Sequence, residues 1–342
     1  MNTTTAAYGT DPLPNATVDA VVIGGGAAGL NGALMLARSR RSVVVIDSGT
    51  PRNAPAQGVH GLLGLDGTPP AELYGRGREE VRRYGGLIVS GEVTAAEPAG
   101  PTADGDLRFS VTLADGRTLT ARRLLVATGL RDVLPEVPGL AGHWGGGVVH
   151  CPYCHGWEVR DEPIGVLATG PASVHHALLF RQLTDDLVYF TRGTGLDAET
   201  RARFAARGIR VVDTPADGVV AVVEDQDGAI AGVRLADGQV VARRVLAVAT
   251  TMRARTEGLA GLALPMEDLP GGGRRFASGA GGSTGVPGVW VAGNATDPTA
   301  QVGASAAAGA LAGAQINALL AMADADAAVA ALTAGVSAAA TA

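Results

Sequence analysis

Val18-Asp19-Ala20-Val21-Val22-Ile23-Gly24-Gly25-Gly26-Ala27-Ala28-Gly29 joins an apolar run of strand length to glycines in GxGxxG spacing, and a helix-like stretch follows to Arg40. A run apolar on both faces is what a parallel strand buried between two helical layers needs. Gly24 permits the tight turn out of the strand, Gly26 lets backbone amides approach a pyrophosphate, and Gly29 lets the helix pack closely on the strand. A second strand, 42–46, ends in Asp47, about 20 residues on, where a carboxylate suits a ribose hydroxyl. Strand, turn, helix, strand and acid together predict a dinucleotide-binding unit.

Outward from this stretch the pattern recurs in pieces. Residues 124–127 read as another strand ending in Thr128-Gly129, and alternating segments near 107–113 and 118–122 suggest a small antiparallel sheet. Far along the chain, Val289-Trp290-Val291-Ala292 leads into Gly293-Asn294 and a long small-residue helix from about Val302. Between these lies a second strand-turn-helix candidate, with its strand and turn in 164–173 and its helix at 173–183. Its fingerprint is incomplete: Ala168 stands in the first glycine's place, Pro171 removes an amide donor, and Ser173 replaces the third small residue. The next strand, Leu187–Phe190, ends in Thr191-Arg192-Gly193 and offers one arginine to a 2′-phosphate. These residues leave open whether the second unit binds a nicotinamide or keeps only the architecture. The predicted fold class is α/β, with two Rossmann-like three-layer nucleotide-binding domains, the second inserted into the first. Residues 1–133 and 279–342 form the outer domain and 134–278 the insert.

With 46% hydrophobic and 18% charged residues, the 342-residue chain reads as compact and soluble, and it is long enough for two domains. A net charge of −6 provides no basic field, so neither nucleic acid nor an acidic membrane surface is an expected partner. All 27 basic residues are arginine, which excludes Schiff-base, pyridoxal and Walker-type chemistry, since each needs a lysine amine. The pairs Arg82-Arg83, Arg122-Arg123 and Arg243-Arg244 read as solvated faces. Met1 to Thr17 lack a cationic start followed by an apolar run, so the cytoplasm is the expected location. Apolar runs such as Val18–Ile23 and 43–46 are of strand length, and none approaches the roughly 20 residues that span a bilayer. The alanine-rich tail after Met322 reads as a frayed helix or a disordered end.

Cysteine occurs only in Cys151-Pro152-Tyr153-Cys154-His155. A bridge over two intervening residues closes so short a loop that it removes little unfolded-state entropy, which makes stabilisation a poor reason for it. Redox exchange by a thiolate is the better reading. Cys-x-x-Cys-His is also the pattern of covalent haem attachment, but that needs export to a haem-loading compartment. A zinc site from His150, Cys151, Cys154 and His155 would use four nearly adjacent ligands, whereas a tetrahedral site normally combines two separated pairs, so no metal is expected. Trp144, Tyr153 and Trp157 surround the dithiol and read either as core or as walls for a small heterocyclic substrate. His143 and His150 precede it and are open to the same two readings, while His175 and His176 read as packing or surface residues.

A glycine fingerprint at the N-terminus, an inserted second Rossmann-like unit, and CxxC just before that unit's first strand resemble the layout of thioredoxin reductase-like flavoproteins over nearly the full length. Within that group, Cys-Pro-Tyr-Cys-His-Gly-Trp-Glu at 151–158 is most similar to the dithiol oxidases that close disulfides in gliotoxin- and holomycin-type natural products. The resemblance implies FAD as cofactor, with Gly24, Gly26, Ala27, Gly29, Asp47, Arg52, Asn53, His60, Val93, Gly293, Asn294 and Val302 around it, and a homodimer. Thioredoxin reductases usually place an aspartate after the second cysteine, whereas His155 stands here; histidine titrates near neutrality and can take a proton from an incoming thiol. The family's usual Gly-Asp is replaced by Gly293-Asn294, which keeps an acceptor and loses a charge.

The resemblance thus implies a small-molecule dithiol as substrate, Cys151 as the sulfur it attacks, Cys154 as the sulfur near the flavin, and dioxygen as final acceptor. An NADPH-dependent reductase of a protein disulfide is the alternative, favoured by Gly170 and Arg192. A non-catalytic redox sensor is a third.

Overall fold

The structure is a computed structural model describing residues 9–340 apart from 101, 103 and 104. β1 (Val18–Ile23) lies inside a sheet because both its faces are apolar. Val21 and Ile23 enter one core with Val44 and Ile46, while Ala20 and Val22 enter another with Val45 and Leu125. α1 (Ala27–Arg38) follows and ends before Arg40, whose φ of 61° breaks the helix. β2 (Val43–Asp47), α2 (Pro70–Arg83) and β3 (Leu87–Ser90) extend the parallel part, and β4 (Val93–Pro98), β5 (Phe109–Leu113) and β6 (Thr118–Val126) form an antiparallel meander.

The sequence pattern separates 118–122 from 124–127, but β6 is one strand serving both parts. Its first half pairs antiparallel with β5 and its second half parallel with β1. Arg122 and Arg123 sit at that junction and are not solvated: both bond Asp106, and Arg123 is buried. Arg243 is likewise buried, paired with Asp186.

β7 (Leu130–Val133) carries the chain into the insert, which contains β8 (Val148–Val149), α3 (Pro152–His155), β9 (Ile164–Leu167), α4 (Ala172–Phe180), β10 (Leu187–Phe190), α5 (Ala198–Ala206) and β11 (Arg210–Val212). After an antiparallel trio, β12 (Val219–Glu224), β13 (Ile230–Leu235) and β14 (Val240–Ala242), β15 (Val245–Val248) completes a parallel sheet of order β11-β10-β9-β15-β8. β16 (Thr251–Ala254) then runs antiparallel to β7, Thr251 opposite Val133 and Ala254 opposite Leu130. The outgoing and returning crossovers are therefore paired strands at one edge of a four-stranded sheet. Leu259, Leu262 and Phe276 pack on the first core. β17 (Met266–Asp268), β18 (Arg274–Phe276) and β19 (Val289–Val291) follow, with β19 parallel to β6.

α6 (Val302–Ala340) closes the fold. It remains helical past Met322, where the sequence suggests fraying, and Arg41 and Arg122 both pair with Asp324, at 2.6 and 2.7 Å. By length and composition, Val302–Thr333 is apolar enough to cross a membrane, contrary to the expectation from the shorter runs. One of its faces buries Ala312, Ile316 and Leu320 in the core that α1 also lines.

Candidate active site

The dithiol sits where β8 ends. Cys151 is the N-cap of α3 and Pro152 occupies its first turn, a position that needs no amide donor. Cys154 N and His155 N both donate to Cys151 O, at 3.2 and 3.1 Å, which folds the segment into a single turn. The turn brings the two Cα atoms to 5.2 Å, and the sulfurs are bonded to each other. Gly156 lets this turn pack tightly, since a Cβ there would lie 2.1 Å from Pro152 O and 2.3 Å from Leu183.

One cavity of about 390 Å³ runs from the glycine loop to the disulfide. Its wall brings together Gly24, Gly26, Ala27, Asp47, Arg52, Asn53, Gly293, Asn294 and Val302 with Cys151, Cys154 and His155. Val93 lines an adjoining cavity that shares Gly24 and Asp47. Gly29 lies behind the wall, where a Cβ would meet Gly24 O at 1.8 Å. His60 is set apart, with Nδ1 3.4 Å from Asp66 and Nε2 3.4 Å from Glu158. Trp144 and Tyr153 line the cavity; Trp157 does not, and Arg160 stacks on its ring at 4.2 Å.

The glycine end fits the pyrophosphate and ribose of FAD. A Cβ on Gly26 would meet no protein atom within 4 Å, so open space faces that residue, and the N-terminus of α1 has no side-chain cap to occupy its amides. Asp47 is fixed by the Gly49 amide at 3.0 Å and by Arg78 at 2.9 Å. Asn294 spends its amide on Ala300 O at 2.6 Å, which leaves its carbonyl oxygen as an acceptor. Arg52 is engaged by Asp132 through two bonds of 2.7 Å.

Sequence reasoning missed Arg255. It lines both cavities, donates to Thr50 at 3.1 Å, and keeps Nε buried without a partner, a donor suited to an anion. No motif marks it; its only signal is its place just after the returning crossover strand.

Burial favours the neutral form of the histidines around the disulfide. The His155 pKa is lowered chiefly by burial, with Glu158 opposing and His60 adding to the shift, and its Nε2 is enclosed without a partner. His150 is lowered by burial, and His176 is pushed down to about 4 for the same reason. His176 is a packing residue, edge-on to Phe180 at 4.8 Å, with Nε2 bonded to His150 O, while His175 is exposed. His143 is held by Glu224 at 2.7 Å.

The second nucleotide unit differs sharply from the first. Its turn is bonded to itself: Thr169 N donates to Ser173 Oγ at 3.0 Å, and Arg192 Nη1 donates to Ala168 O at 2.9 Å. Pro171 has no amide to offer, and Ser173 is fully buried.

Comparison with known proteins agrees with this architecture. The family model described as pyridine nucleotide-disulphide oxidoreductase matches residues 18–314. The solved structure of HlmI is 44% identical, covers 94% of this chain and 98% of its own, and superposes with a TM-score of 0.86. An oxidoreductase from Agrobacterium tumefaciens is 34% identical, with 90% and 99% coverage and a TM-score of 0.82. Among curated relatives, thioredoxin reductase tcpT of Claviceps purpurea is 35% identical over 59% of this chain, and thioredoxin reductase sirT of Leptosphaeria maculans is 40% identical over 44%. The matches span 66% and 45% of those two relatives' own lengths. With its paired sulfurs and glycine loop on one cavity, the chain belongs to the pyridine nucleotide-disulphide oxidoreductase family, as an FAD-binding oxidoreductase of the thioredoxin reductase-like kind.

Proposed function

We propose that the protein oxidises a small natural-product dithiol to its intramolecular disulfide, with dioxygen as final acceptor. The observation that carries this reading is the contrast between the two nucleotide units. The glycine loop of the first opens on the cavity that holds Cys151–Cys154, whereas the turn of the second is closed by Ser173 and Arg192. A dithiol then has a route to the sulfurs, whereas a nicotinamide cofactor meets a turn in which Pro171 offers no amide and the Thr169 amide is already bonded to Ser173.

The substrate thiolate attacks Cys151, forming a mixed disulfide and releasing Cys154 as thiolate. His155, neutral because it is buried, accepts the proton of that first thiol and returns it to sulfur. The second substrate thiol then displaces Cys151, so the product leaves closed and both cysteines are reduced. Bound FAD supplies the two-electron acceptor for the reduced pair and its reoxidation by dioxygen, giving hydrogen peroxide. Gly24, Gly26, Ala27, Asp47, Asn53, Gly293, Asn294 and Val302 hold that cofactor, Arg52 braces its loop, and Trp144 and Tyr153 offer apolar contact to the substrate. A homodimer in the cytoplasm completes the proposal; Leu311, Leu319 and Met322, exposed on α6, suit a subunit contact.

Oxygen consumption tests the reading. A dithiol able to close a ring should consume one dioxygen and yield one disulfide and one peroxide. Cys154→Ser should keep its FAD and lose this turnover; full activity in that variant would refute the sulfur relay.

A further inference from the structure

His150 stands directly before the exchanging cysteine, and its ring is oriented by backbone. Nδ1 lies 2.9 Å from Val248 O, which can only accept, so Nδ1 carries the ring proton. The Thr250 amide is farther from the same nitrogen, at 3.3 Å, and cannot donate to it in that tautomer. Thr250 Oγ1 donates instead to Asp132 at 2.6 Å, and His176 Nε2 bonds the His150 carbonyl. The ring is thus fixed with the Nε2 lone pair uncommitted, and the residue lines the same cavity as Cys151. His155 has no such orienting partner for its ring among the described residues, and its Nε2 is enclosed.

We propose that His150 is a second proton-transfer residue of the dithiol site, its Nε2 taking the proton of the substrate thiol that resolves the mixed disulfide at Cys151. The inference rests on the dithiol-exchange reading above. In this step the S–H proton passes to Nε2, and the freed sulfur attacks the substrate sulfur held in the mixed disulfide. The substrate S–S bond forms as the bond to Cys151 Sγ breaks. The electron pair stays on Sγ, which then takes the proton from Nε2, so the substrate is oxidised and the cysteine pair reduced with no further reagent. The groups facing the ring are Asp132, Arg52 and His176. Burial is the largest influence on the ring and favours the neutral form; the Val248 carbonyl opposes it, Arg52 reinforces it and Asp132 opposes it. A neutral imidazole with a free Nε2 is the form a base requires.

Rapid mixing of the FAD-loaded holoenzyme with dithiothreitol under anaerobic conditions, between about pH 5.5 and 9, tests the role by the rate of flavin bleaching. His150→Asn keeps an N–H for Val248 but has no base at the Nε2 position, and His150→Gln is a second variant of different shape. Each should bleach about 10- to 100-fold more slowly near pH 7 and lose the acid-side inflection, its rate rising with hydroxide instead. Either variant, loaded with FAD and bleaching within about twofold of wild type on an unchanged pH profile, overturns the inference. Cys151→Ser is run alongside. Its loss of bleaching leaves the exchange reading standing whatever the His150 result, whereas wild-type bleaching by Cys151→Ser removes that reading and this inference together.

Discussion

Arg52 grips Asp132 with two parallel hydrogen bonds, Nε to Oδ2 and Nη2 to Oδ1, each 2.7 Å long. Asp132 lies on β7 and Arg52 on the loop after β2, so the fork ties that loop to the outgoing crossover strand. The Asp132 side chain is 4% exposed. Burial alone would raise its pKa, but the Arg52 hydrogen bonds and charge, with help from Thr250, hold it below the usual carboxylate range. Arg52→Ala would leave that carboxylate buried and unpaired, at an expected cost of about 3–5 kcal/mol in urea unfolding. Arg52→Lys should recover only part of this, because an ammonium cannot reproduce the fork.

The glycines at 26 and 29 should separate binding from folding. A Cβ on Gly26 meets no protein atom, and its φ of −82° suits any residue, so Gly26→Ala should keep its apoprotein melting temperature while losing FAD. A Cβ on Gly29 lies 1.8 Å from Gly24 O, so Gly29→Ala should destabilise the apoprotein by about 1–3 kcal/mol or more. Flavin absorbance of the purified variants and thermal melts of the apoproteins measure the two effects.

His176 makes stability pH-dependent. Its folded pKa is about 4, against an ordinary 6.5, so the unfolded chain binds the extra proton between these values. The stabilising contribution is complete above about pH 6.5 and is lost as pH falls toward 4; for this 7%-exposed residue the loss amounts to roughly 3 kcal/mol. His176→Gln keeps a donor for His150 O but does not titrate. Its unfolding free energy should therefore fall less than wild type's between neutral pH and pH 4.5, and parallel curves would contradict the assignment.

The parts of this fold that were legible in sequence are those fixed by local chemistry. Val18–Ile23 is apolar on both faces and ends in glycines whose missing Cβ atoms the turn requires, so strand, turn and helix could be read directly. The single strand β6 was obscured because Arg122 and Arg123 interrupt its apolar run; their partners, Asp19 and Asp106, are distant or on another loop. The packing of Leu259, Leu262 and Phe276 on the first core escaped the sequence because no motif marks them and only the core they join defines them. Arg255 escaped for the same reason, since the crossover that delivers it is what places it on both cavities. Ser173 stood out as a departure from a fingerprint and Arg192 as an arginine offered to a 2′-phosphate, but only the folded chain shows that both bond the turn they sit beside.

The most direct test of the central claim is the direction of electron flow. The oxidised yellow holoenzyme is mixed anaerobically with NADPH and, separately, with a small dithiol. The account predicts rapid bleaching by the dithiol through Cys151 and Cys154 and none by NADPH; bleaching by NADPH with a dithiol inert would contradict it.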